Sequence, residues 1–201
     1  FRSRLVGRHG FALTEQDRQG LAYVYRTFYA EGPDLRYSFP RQANARWFPT
    51  YMDLMTRADA AGVNHGYLAS EELFRLVRDL ERGNRIVPVV GDFGGPKALR
   101  AVGSYAREHG ASINVFYTSN VEQYLFQDGS WRRYFANVAT WPVEPSSTFI
   151  RSYFDLGFRF PAPGFDAVIP SDTLLQPISE AIEAFQSGRL HYYGEVIARS
   201  H

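Results

Sequence analysis

Ile86-Val-Pro-Val-Val-Gly-Asp-Phe-Gly-Gly-Pro-Lys97 is the stretch on which the fold assignment turns. A β-branched apolar run stops at Gly91-Asp92, passes Gly94-Gly95 and meets Pro96. Proline suits the first turn of a helix, where its missing N–H has no intrahelical role. The pattern predicts a strand over 86–90, a glycine-rich turn, and a helix from Pro96 to His109 stopped by Gly110. Strand-to-helix turns of this kind are where α/β proteins place ligand-binding backbone.

Downstream, Ile113–Tyr117 reads as a second strand that ends in Thr118-Ser-Asn120 and leads into a helix from Val121. Strand, helix and strand in this spacing predict a right-handed parallel βαβ unit. Trp131–Ala139 reads as another helix, and Pro142 and Pro145 precede a third strand over Ser147–Phe154. A Pro/Gly/Phe-rich loop over 157–170 and a helix over 177–187, with Ile178, Ile182 and Phe185 on one face, complete the pattern. The tail 190–198 fits strand or helix equally.

Upstream the signals are helical. Thr14 and Asp17 form a capping pair ahead of Leu21, Val24, Tyr25 and Phe28, the spacing of one buried helix face. Gly32-Pro33 stops that helix, and residues 32–49 read as loop. Thr50 caps a short helix reaching about Ala61. Ser70 opens another, with Leu73, Leu76, Val77 and Leu80 on one face and Gly83 at its end. For the helix after Pro96, the inner stripe is expected to be Ala98, Ala101, Val102 and Tyr105. The whole is expected to be one α/β domain over 1–201, helical to about 84 and βαβ from about 85. The expected architecture is a Rossmann-like three-layer domain, with a mainly parallel sheet and helices on both faces. The chain starts at Phe1 without a methionine, inside ordinary sequence, which fits a processed product, a fragment or an absent N-terminal portion.

Composition narrows the function classes. Hydrophobic residues at 45% and charged residues at 21% belong to a chain that folds around a core. Aromatics reach 16%, so the core or a binding surface should be rich in rings. The net charge of +1 gives no electrostatic basis for nucleic-acid or membrane-surface binding. Without cysteine there are no disulfides and no thiol chemistry, which is compatible with a cytoplasmic protein. No run approaches the roughly 18 apolar residues of a membrane span. The five histidines are scattered without a ligand-like spacing, so no metal is expected.

The candidate site gathers at the two strand ends. Gly91, Gly94 and Gly95 allow close backbone approach to a ligand, Asp92 offers acceptors, and Lys97 offers a positive charge. The plainer alternative is a tight turn with Asp92 as a cap and Lys97 in water. At the second strand end, Ser119, Asn120 and Glu122 are expected to face the same crevice, Asn120 and Glu122 orienting a substrate. Asn120 as a simple helix cap is the alternative. Arg151, charged within an apolar strand, requires a partner: Glu122, Asp92 or a ligand anion. Lys97 lies outside any Gly-Lys-Ser/Thr phosphate loop, and Ser119 lacks a nucleophile elbow.

The long motifs Val-Pro-Val-Val-Gly-Asp-Phe-Gly-Gly-Pro-Lys-Ala-Leu-Arg-Ala-Val, Phe-Tyr-Thr-Ser-Asn-Val-Glu-Gln-Tyr-Leu-Phe and Ser-Ser-Thr-Phe-Ile-Arg-Ser carry a resemblance. The chain is similar to a family of uncharacterised bacterial conserved hypothetical proteins whose members resemble class I S-adenosylmethionine methyltransferases, and it looks like their C-terminal part. The resemblance implies S-adenosylmethionine as cofactor. It implies Gly91-Asp92 at an acidic turn near the adenine and Ser119-Asn120-Val121 at a strand end on the substrate side. Combined with the residue reading, the cofactor candidates are Gly91, Asp92, Phe93, Gly94, Gly95, Lys97 and Ser119, and the catalytic or substrate-side candidates are Asn120, Glu122 and Arg151. The expected partner is a small molecule, and a protein partner or homo-oligomer is compatible with the sequence. The rival functions are a non-catalytic α/β interaction module and a hydrolase or sugar-phosphate enzyme that binds phosphate at the glycine loop.

Overall fold

The structure is a computed structural model, and it describes residues 3–36, 49–154 and 171–201. The chain separates into two compact units, Phe1–Val87 and Pro88–His201. The boundary falls close to the expected change from helical to β-containing sequence.

The first unit is helical among its described residues. Helix α1 (Glu15–Glu31) starts at Thr14, whose hydroxyl accepts the Asp17 N–H at 3.1 Å while the Asp17 carboxylate accepts the Thr14 N–H at 2.8 Å. Helix α2 (Tyr51–Thr56) repeats this reciprocal cap with Thr50 and Asp53. It is shorter than the reach to Ala61 expected from sequence, because Arg57 adopts extended backbone. Helix α3 (Glu71–Arg82) is capped by the Ser70 hydroxyl and ends at Gly83. Among the described residues no hydrophobic side chain of this unit is buried. The stripe on α1 that was expected to face a core is instead open, Val24 at 51% and Phe28 at 55% exposure. The loop expected over 32–49 falls largely outside the described residues.

The second unit is built on three strands, β1 (Val115–Ser119), β2 (Thr148–Phe154) and β3 (Ser171–Pro177), in the order β1-β2-β3. β1 and β2 are parallel, and β2 and β3 are antiparallel. Helices α5 (Val121–Gln127) and α6 (Trp131–Val138) form the crossover between the parallel pair. This overturns the Rossmann-like, mainly parallel three-layer architecture: the sheet is small and mixed. The expected strand over 86–90 does not join it. Pro88 removes a ladder donor from the middle of that run, and Val90 is fully exposed. The strand that sequence periodicity missed is β3, which supplies the antiparallel edge. The loop expected over 157–170 lies outside the described residues.

Alternation along the strands shows one buried face. Thr118, Phe149, Arg151 and Gln176 are buried, whereas Val115, Tyr117 and Leu175 are exposed. Helices α4 (Ala98–Glu108), α5, α6, α7 (Ile178–Gln186) and α8 (Tyr193–Ala198) supply most of the remaining core residues, and Trp141 and Leu190 come from connecting segments. The tail left open between strand and helix is helical over α8. The core is ring-rich, as composition suggests. Phe116 lies 4.8 Å from Trp141 and 5.7 Å from Phe149 between ring centroids, and Phe126 stacks on Trp131 at 4.8 Å.

The buried residues of α4 are Leu99, Gly103 and Ala106, each one position beyond the expected Ala98, Val102 and Tyr105, and the expected Ala101 is exposed. Trp141 decides this. Its indole N–H donates to the Leu99 carbonyl at 2.7 Å, and a Cβ on residue 103 would sit 2.4 Å from its Cδ1. Only glycine admits the ring there.

Candidate functional site

The glycine loop forms one wall of a pocket of about 530 Å³ within the second unit. Asp92, Gly94, Gly95 and Pro96 contribute the loop side. Arg100 from α4, and Arg133, Ala136 and Asn137 from α6, contribute the rest. The loop is a tight turn: the Gly94 N–H donates to Asp92 Oδ1 at 2.9 Å, and the Gly95 N–H donates to the Asp92 carbonyl at 3.1 Å. Its glycines have packing reasons. A Cβ at Gly91 would lie 2.3 Å from that of Ala98, and one at Gly94 would lie 2.9 Å from that of Ser130.

Helix α6 holds this loop by its carbonyls. Buried Asn137 donates through Nδ2 to the carbonyls of Phe93 at 3.1 Å and Gly95 at 2.8 Å. Arg133 donates from Nε to the Gly94 carbonyl at 3.0 Å, and Arg100 donates from Nε to Asn137 Oδ1 at 2.7 Å. Each guanidinium is therefore tethered through Nε, and its terminal nitrogens make no hydrogen bond among the described residues. The start of α4 borders the same space, and no side chain caps it at Lys97. Arg100 and Arg133 line one cavity, and the positive charge of each favours an anion.

The second strand end behaves differently. Ser119 follows an irregularity in the β1–β2 register and sits at φ +50°, a left-handed conformation unusual for a non-glycine residue. Asn120 occupies the cap position of α5 without a side-chain capping bond. Glu122, in the first turn, is buried against Arg151. Arg151 Nε donates to Glu122 Oε2, Nη2 donates to Oε1 at 3.2 Å, and the guanidinium lies 4.2 Å from the Phe149 ring centre. Of the partners considered for Arg151, Glu122 is the one found. Neither residue lines the pocket, nor do Ser119 and Asn120. Asp92, Gly94 and Gly95 do line it, whereas Gly91 and Phe93 lie in the loop behind it and Lys97 is exposed at the helix start.

Tyr134 and Tyr193 adjoin the buried pair. Burial, reinforced by the Glu122 charge, pushes the Tyr134 phenol far above its ordinary range. Its Oη makes no hydrogen bond among the described residues. Burial and then the Glu122 charge raise Tyr193 to about 12 from an ordinary 10.0. The folded state therefore holds protons that the unfolded chain releases, so stability falls between about pH 10 and about pH 12. Denaturant midpoints measured across that range should decline, and Tyr193→Phe should flatten the decline. An unchanged slope in the variant would refute the assignment.

Arg100, Arg133 and Asn137 carry the pocket, and sequence reading missed all three. By sequence alone the adjacent Arg132 and Arg133 read as helix surface. The usable signal was the Arg133/Asn137 spacing of i, i+4 on a helix whose other positions are mostly aromatic or aliphatic.

Among the described residues no helix is long and apolar enough to cross a membrane, and no three His, Asp or Glu side chains gather as a metal site. No curated protein matches the chain significantly. The family described as Domain of unknown function (DUF7790) matches residues 15–189, most of the chain, and the protein belongs to that family.

Proposed function

We propose that the protein binds a small anionic molecule in the pocket between the glycine loop and α6. The observation that carries this reading is the pair of guanidinium groups tethered through Nε on Gly94 and Asn137, both from residues that line the cavity. Pre-organised forks lose little freedom when an anion arrives, so more of the interaction appears as affinity. The rival phosphate-binding use of the loop survives in this form, through α6 rather than through Lys97.

Inorganic phosphate, titrated into the protein while backbone amide resonances are followed, tests the reading. Shifts should concentrate at Gly94, Gly95 and Ala98–Arg100. Arg133→Ala should weaken the apparent affinity by about tenfold, the effect of losing one charge-assisted contact. Shifts spread evenly over the surface, or an unaffected Arg133→Ala, would refute it.

The methyltransferase reading rests on the sequence resemblance, and neither the matched family nor any curated relative adds support. A thermal shift with S-adenosylmethionine and S-adenosylhomocysteine, absent with phosphate, would favour it over anion binding.

A further inference from the structure

We infer that the ligand of this pocket is a hydroxyl-bearing phosphate monoester, a small polyol or sugar phosphate; this rests on the anion-binding reading above. Arg100 and Arg133 line the cavity from two different helices, α4 and α6. A planar carboxylate is satisfied by a single guanidinium fork. Donors arriving from separate elements suit a tetrahedral group with three terminal oxygens.

Asp92 defines the other end. It accepts the Gly94 N–H on Oδ1, while Oδ2 makes no hydrogen bond among the described residues and the residue lines the cavity. A carboxylate beside a phosphate site repels a second anionic group and demands a donor. The two arginines in the same cavity disfavour an ammonium. A neutral hydroxyl satisfies Asp92 without opposing either charge. A volume of about 530 Å³ accommodates a phosphate with a short polyol or a single sugar ring.

Titration calorimetry with inorganic phosphate, glycerol 3-phosphate and phosphoethanolamine tests this on the wild-type chain and on Asp92→Asn. The asparagine Oδ1 can still accept the Gly94 N–H, so the turn is kept while the spare carboxylate oxygen is lost. Glycerol 3-phosphate should bind about tenfold more tightly than phosphate, the worth of one hydrogen bond to a charged acceptor. Asp92→Asn should erase that gain, so that the variant binds phosphate and glycerol 3-phosphate with equal affinity, whatever the lost charge adds to both. Equal binding of phosphate and glycerol 3-phosphate would overturn the inference and spare the anion-binding reading. Tighter binding of phosphoethanolamine, or a gain that survives in Asp92→Asn, would also overturn it. If none of the three compounds binds, both readings fail.

Discussion

Glu122→Ala destabilises the Pro88–His201 unit by about 3–5 kcal/mol, the usual cost of leaving one charge of a buried pair without its partner. Arg151 is fully buried, with Glu122 accepting two of its donors and Ser200 Oγ a third at 3.4 Å. Removing the carboxylate leaves a guanidinium with no counter-charge between Phe149 and the helices. Denaturant unfolding followed by near-ultraviolet circular dichroism measures the loss. The double variant Glu122→Leu/Arg151→Met removes both charges and should recover most of it, because apolar replacement of a buried pair is often neutral or stabilising. A single variant that loses less than about 1 kcal/mol would show that water reaches the pair in solution.

Phe135→Ala is expected to cost a similar amount, about 3–5 kcal/mol. The side chain is fully buried, with ring centroids 4.9 Å from Tyr134 and 5.8 Å from Phe185. Tyr134 is fixed on the same helix and Phe185 on α7, each held by its own contacts, so they close the vacated space only in part. Set against a total of about 5–15 kcal/mol for a domain, either change brings the unit near unfolding. The two differ in character. The Phe135 loss should be insensitive to salt and pH, and restoring bulk with Phe135→Leu should recover part of it. The Glu122 loss follows charge, so Glu122→Gln, which keeps the shape, should remain destabilising.

The local signals in the sequence translate well into structure wherever the cause is local. The caps at Thr14, Thr50 and Ser70, the stop at Gly83 and the helix over Ile178–Gln186 are set by neighbours in the chain. The need of Arg151 for a partner was also legible, because a charge at a buried strand position demands one whatever the topology. The failures are tertiary. Val-Pro-Val-Val reads as a buried parallel strand by composition, yet a strand exists only through a neighbour's ladder, and Pro88 weakens its claim to one. The register of α4 depended on Trp141, more than thirty residues away, accepting no side chain at 103. Arg133 was hidden for the same reason: its role depends on a carbonyl at Gly94 that no periodicity connects to it.

Seven of the eight residues of α6 face two ways. Trp131, Tyr134, Phe135 and Val138 point into the core, while Arg133, Ala136 and Asn137 border the cavity. A sliding or rotating helix would move both sets together, so the ligand-facing side chains inherit the rigidity of a packed interior. Selection therefore has little freedom to retune the cavity by shifting backbone here. Divergence among relatives of this chain should proceed by exchanging side chains at 100, 133 and 137 on a stationary helix, leaving a mutational record in which affinity changes and the frame does not.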